Sequence, residues 1–227
     1  MLNVTTGCDH GCSYCYAAKI ARAEPPYEGL TRLKQNYLKN NRVVKGFDAS
    51  DPFSPRFWPE RLNQPKKLRK PSRILVGSMG DTWSDVIPEY WIKRILEMVK
   101  SLPQHDFIFL TKNPKRYKEF TPFPDNAWIG MTVDRQQRVP QIRHLIGTEA
   151  KIRFISFEPL LTNIRARLNR IDWVIIGQQT KPTKKPQPYW VTGIVSDADR
   201  LGIPVFIKPP LQTYKHRQEF PRGVKVG

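Results

Sequence analysis

Apolar residues recur along the chain in two rhythms. Short runs such as Arg73-Ile74-Leu75-Val76-Gly77-Ser78 and Asp106 to Leu110 are nearly continuous in hydrophobic, often β-branched residues, as in strands buried on both faces. Ala127 to Val133, Lys151 to Phe157, Trp173 to Ile176 and Ile203 to Ile207 read the same way, and Leu2 to Thr6 forms a shorter first candidate. Between them the period changes to that of a helix. Pro88 to Leu102 places Trp91, Ile95, Leu96 and Val99 on one face behind an N-terminal proline. Helices are also expected over Cys15 to Ala23, Pro114 to Phe120, Gln136 to Ile146 and Trp190 to Leu201.

Seven strands, most followed by a helix, predict an α/β fold: a parallel sheet with its helices outside. A closed eight-stranded barrel is typically about 250 residues long, and the chain has 227. The expectation is therefore a partial (β/α) TIM-like barrel of about six to seven strands in a single domain. Residues 24–72 break the rhythm. They are rich in Pro, Asn, Lys and Arg and read as an irregular insertion, a lid or substrate-binding segment.

In parallel barrels the site is built where strands end. Here apolar runs empty into polar residues: Gly77-Ser78-Met79-Gly80-Asp81 after the second strand, Thr111-Lys112-Asn113 after the third, and Thr132-Val133-Asp134 after the fourth. The fifth ends in Ser156-Phe157-Glu158-Pro159, the sixth in Gly177-Gln178-Gln179-Thr180, and the last in Lys208.

The three cysteines of the chain, Cys8, Cys12 and Cys15, fall in one C-x3-C-x2-C run with Tyr14 before the last thiol. Three crowded thiolates suit a soft, iron-containing cluster, and three ligands on four irons leave one iron open to a small molecule. A zinc site with His10 as fourth ligand is the competing reading. A disulfide would leave one thiol over and needs an oxidising compartment. The motif starts too near Met1 for a signal peptide, and no apolar run is long enough to span a membrane, so a soluble, cytoplasmic protein is expected.

This run resembles the signature of the radical S-adenosylmethionine (radical SAM) superfamily. The resemblance implies that Cys8, Cys12 and Cys15 hold a 4Fe–4S cluster and that Tyr14 lies beside the adenine of S-adenosylmethionine. It implies reductive cleavage of that cofactor to a 5′-deoxyadenosyl radical, fed by an external electron donor, and a partner protein is a further candidate. Ser78, Gly80 and Asp81 occupy the place of the superfamily's glycine-rich turn, which receives the methionine amino group. Thr132, Glu158 and Gln178 are expected to complete the cofactor site, and Tyr16, Lys112 and Glu158 to be catalytic. Over nearly the whole chain, Val4-Thr5-Thr6-Gly7-Cys8, Leu110-Thr111-Lys112, Ala127 to Val133, Phe157 to Leu161 and Ile171 to Gly177 look like a small phage-associated subfamily with no assigned reaction. Relatives there commonly carry Gly-Glu-Ser-Gly where this chain has Gln178-Gln179-Thr180-Lys181.

With every thiol used by one cluster, none remains for an auxiliary cluster, a methyl carrier or a hydrogen donor. That argues against sulfur insertion and against methyl transfer through a protein cysteine, and leaves a tyrosine, with Tyr16, Tyr90 and Tyr189 as candidates, or regenerated 5′-deoxyadenosine as the hydrogen donor. Charge adds a partner: 38 Lys and Arg against 20 Asp and Glu give +18, an excess that points to nucleic acid. The runs Lys66-Lys67-Leu68-Arg69-Lys70 and Lys181 to Lys185, with Trp58 and Tyr189 nearby, could grip phosphates and stack bases. The expected activity is modification or repair of a nucleic acid or nucleotide. The alternative is a nucleic-acid-binding or accessory protein with a structural iron–sulfur or zinc site.

Overall fold

A computed structural model describes residues 1–209, 211 and 216–221. In chain order the strands are β1 (Thr5–Thr6), β2 (Arg56–Phe57), β3 (Arg73–Val76), β4 (Asp106–Thr111), β5 (Ala127–Thr132), β6 (Ile152–Phe157), β7 (Trp173–Ile176), β8 (Gln179–Thr180), β9 (Thr183–Lys184) and β10 (Val205–Ile207). The α-helices are α1 (Tyr16–Arg22), α2 (Thr31–Lys39), α3 (Glu89–Lys100), α4 (Ile142–Ile146) and α5 (Pro188–Arg200).

Six strands make one parallel sheet in the order β3-β4-β5-β6-β7-β10. Each main strand lies beside the next in sequence, so the sheet winds in one sense and curls into a half-barrel. The reason is legible in the burial pattern. Phe107 and Phe109, Ile129 and Met131, Ile155 and Phe157, and Val174 and Ile176 point outward and are sealed under α3 and α5. Trp91, Ile92, Ile95, Met98 and Val99 of α3, with Val191, Ile194, Val195 and Ala198 of α5, are the covering faces. The alternate residues line the concave face. Towards the N-terminal end that face is filled by Trp128, Phe154, Trp173 and the incoming Phe220. Farther along, Leu75, Leu110 and Ile175 stay only half-buried, so the concave face is accessible near the strand ends.

The expected partial barrel is thus present, with corrections in detail. The first strand joins the sheet through a parallel bridge of Leu2 to Val76, and beyond it Thr5 and Thr6 pair antiparallel with Phe57 and Arg56. The helix expected over Gln136 to Ile146 is a 3-10 turn over Gln136–Gln141 followed by α4. Pro140 lies inside it and has no N–H to continue an α-helical ladder.

The insertion at 24–72 is more ordered than its composition suggests. It contains α2 and β2, and its centre is the fully buried Arg56. The guanidinium donates to the carbonyls of Asn40 (3.1 Å), Ala49 (2.6 Å), Asp51 (2.7 Å) and Ser54 (3.0 Å). Backbone acceptors that a loop cannot satisfy internally are gathered onto one side chain. No helix among the described residues is long and apolar enough to cross a membrane.

Candidate functional site

The cysteine loop, residues 8–15, lies across the C-terminal ends of β3, β4 and β5. Its stem is fixed by contact between backbones. Gly7 bridges Gly80 in parallel, with Gly7 N donating to the Met79 carbonyl at 2.8 Å. A Cβ added at Gly80 would stand 2.3 Å from the Gly7 carbonyl oxygen, and one at Gly7, whose φ is +81°, would stand 2.4 Å from that of Phe53. Two residues without side chains let the insertion, the loop and the β3 turn cross within van der Waals distance. Gly80 was expected to give a ligand close approach to backbone. Its observed neighbour is the chain's own Gly7.

Two carboxylates pin the loop. Asp81 is buried and takes four hydrogen bonds: from His10 Nε2 (2.7 Å), Thr111 Oγ1 (2.8 Å), Lys112 N (3.0 Å) and Trp83 N (2.9 Å). Burial alone would raise its pKa, but the contact with His10 and the two backbone donors hold it below the usual carboxylate range. Asp81 is therefore placed as the clamp between loop, β3 and β4, rather than with free oxygens towards a cofactor. Asp134, buried at the end of β5, accepts from the Tyr14 hydroxyl and from Arg138 Nε at 3.0 Å. Burial and the hydrogen bond to Asp134 push the Tyr14 phenol well above its ordinary range. Lys112 Nζ stands 5.3 Å from the Tyr14 ring centre, so that ring is held between β4 and β5.

All three thiols are partly exposed, and none is in a disulfide. Cys15 is also the N-cap of α1, its sulfur accepting from Ala18 N at 3.4 Å, and Cys8 accepts from His10 N at 3.4 Å. Burial, then the Asp81 charge, drives the Cys8 thiol upward. Among the described residues, the metal-ligating group with donor atoms within 4.8 Å of one another is Cys8, Asp9 and His10. Cys12 and Cys15 stand outside it. A single tetrahedral zinc on three thiolates would bring their sulfurs to about 4 Å from one another, given Zn–S near 2.3 Å. Among the described residues the three sulfurs do not form such a group.

The other expected residues complete a ring around this loop. Tyr16, at the start of α1, is half-exposed and donates to the Ser78 carbonyl at 2.7 Å. Ser78 Oγ pairs with Asn3 Oδ1 at 3.2 Å. Lys112, Thr132 and Glu158 continue the concave face at the ends of β4, β5 and β6. Glu158 forms an ion pair with Lys208, after β10, at 2.6 Å, and its side chain lies where a Cβ at Gly177 would be. Gln178 is buried at the end of β7 with Oε1 unpartnered, and Ser156, on the concave wall, has an unpartnered buried Oγ. An unpaired buried oxygen costs on the order of 1–3 kcal/mol, and among the described residues these two stand at the strand ends without a donor. Tyr90 and Tyr189, exposed on the outer helices and packed edgewise on Trp91 and Trp190, stand apart from this ring. Arg56 and Tyr27 were missed by sequence reasoning. Asp134 was visible as a strand-end acid but had no assigned role.

One family model matches residues 1–219, described as Protein of unknown function (DUF5131). The chain belongs to this family. No curated protein and no solved structure matches it. Membership of the radical SAM superfamily, and of its phage-associated subfamily, is corrected accordingly: over nearly its whole length the chain is assigned to DUF5131 instead.

Proposed function

We propose that this chain is an enzyme that holds a 4Fe–4S cluster on Cys8, Cys12 and Cys15 and reductively cleaves S-adenosylmethionine, acting on a nucleic acid or nucleotide. One observation carries the reading. Every thiol of the chain sits on a single loop, clamped by Asp81 and Asp134 over the polar strand ends of a half-barrel. Three ligands leave a coordination position for a small molecule, and the chemistry such a cluster supplies when bound is one-electron reduction of that molecule. The residues of the chain have separate tasks. Asp81 and Asp134 fix the loop. Thr132, Ser156 and Gln178 offer buried polar groups to a bound cofactor. Lys112, Glu158 and Lys208 supply charge to orient a substrate in the concave face. Tyr16, directly after Cys15 in sequence, has its hydroxyl proton on the Ser78 carbonyl.

Anaerobic reconstitution tests this. Iron and sulfide should be present in equal amounts, and 5′-deoxyadenosine should be released with dithionite and S-adenosylmethionine. Each Cys→Ala variant should lose both. A variant that kept full iron and full cleavage would remove that residue from the ligand set.

The second reading is an accessory nucleic-acid-binding protein with a structural zinc. It is favoured by the donors of Cys8, Asp9 and His10 lying within 4.8 Å of one another. A colourless protein carrying zinc and no sulfide would establish it over the first.

A further inference from the structure

Two loops from opposite parts of the chain meet beside the strand ends. The β8–β9 hairpin follows β7 and carries Lys181, Lys184 and Lys185, all exposed. None of the three has an acidic partner among the described residues. Facing it is the turn between α1 and α2, where the half-buried Tyr27 presents its ring. Lys181 Nζ lies 4.5 Å from the centre of that ring. The ring and the cation thus join the turn that follows α1, the helix leaving the cysteine loop, to the hairpin that follows β7.

A cation over an exposed aromatic ring is worth only about 0.5–1 kcal/mol. A nucleobase stacked on the same ring is worth more, about 1–3 kcal/mol. A base can therefore displace the ammonium, which is then free to meet the attached phosphate with Lys184 and Lys185 alongside. We propose that Tyr27 and the β8–β9 hairpin form a nucleotide-binding gate: a base enters by taking the place of Lys181 on the Tyr27 ring, and the hairpin lysines hold its phosphate. This rests on the reading that the substrate is a nucleic acid or nucleotide, and names where that substrate is gripped. The shared chemistry is a base with its phosphate, whether free or within a single strand.

The test is binding, not turnover. A fluorescein-labelled single-stranded 12-mer is titrated with the intact chain at several salt concentrations, and unlabelled nucleoside monophosphate is used as competitor. Tyr27→Leu should weaken binding roughly 5- to 100-fold, while Tyr27→Phe, which keeps the ring, stays near wild type. Lys181→Gln should reduce the slope of log affinity against log salt by about 0.7, as expected when one phosphate of a single strand is no longer neutralised. Displacement of the 12-mer by monophosphate, with the same Tyr27 dependence, identifies the free nucleotide as a ligand of the gate. If Tyr27→Leu binds like wild type, the gate is wrong although the nucleic-acid reading stands. If wild type binds neither probe, both fall. Should Tyr27→Leu not fold by circular dichroism, an unchanged salt slope in Lys181→Gln overturns the gate by itself.

Discussion

Gly80 shows how much a single missing side chain decides. An added methyl group would meet the Gly7 carbonyl oxygen at 2.3 Å and Gly7 N at 2.7 Å, and both are backbone atoms that cannot rotate away. Gly80→Ala should therefore cost about 1–3 kcal/mol, as overpacking does, and should lower iron content because the cysteine stem moves. An unchanged denaturant midpoint would refute this account. Asp81 makes the electrostatic counterpart. Its depressed pKa means that its stabilisation is complete above the unfolded-state value, near 3.9, and is lost as pH falls through the folded-state value. Asp81→Asn should destabilise the protein at neutral pH by about 2–4 kcal/mol, since hydrogen bonds to the charged group are weakened together. Its stability should also fall less steeply than that of wild type below about pH 4. Chemical denaturation across pH 2–7 measures both effects. Parallel curves with a constant offset would show that the Asp81 charge is not what holds the loop.

Among the elements, the insertion departs most from its appearance. Its Pro- and Lys-rich composition suggests irregular structure, and much of it is loop and 3-10 turn. Yet Arg56 collects four backbone carbonyls, and Arg22 pairs with Asp51 at 2.7 Å to join α1 to the same segment. Arg56→Met should cost on the order of 3 kcal/mol, because buried carbonyls lose their donor. It should also open residues 40–57 to limited proteolysis. Arg56→Lys should rescue little, since an ammonium cannot reproduce the planar fork. Equal protease resistance in wild type and Arg56→Met would contradict this role. The strands were readable in advance because their apolar runs are continuous, and α3 because its apolar face is periodic. Arg56 was not readable. Its value lies in carbonyls contributed by four separate loop positions, which no local pattern marks.

For the whole molecule, the net charge is +18, and its two basic runs lie at different ends of the half-barrel. The chain descends from Trp58, whose N donates to the Val4 carbonyl, past Arg61 at the Asn3 carbonyl, and enters β3 from its N-terminal end. Lys66, Lys67, Arg69 and Lys70 therefore lie towards the end away from the cysteine loop. The second run, Lys181 to Lys185, is on the site side. Charge reversal of the hairpin lysines should lower the salt slope of single-strand binding by about 0.7 for each phosphate no longer neutralised. Reversal of the first run should leave base-dependent binding intact. Equal effects on binding of oligonucleotide and heparin from both sets would assign the excess charge to a nonspecific basic surface.

The sequence by itself determined the α/β alternation, the parallel half-barrel and the gathering of all thiols into one loop, because these are set by local periodicity and by spacing within eight residues. It also marked the polar strand ends. Only the tertiary structure decided what those strand ends do. Asp81 became a clamp for His10, Asp134 took the Tyr14 hydroxyl, Gly80 made room for Gly7, and Lys181 came to rest on Tyr27, 154 positions away in sequence. Each of these pairings joins residues far apart along the chain. A residue's type fixes what it can bond, but the curl of the sheet fixes which partner arrives.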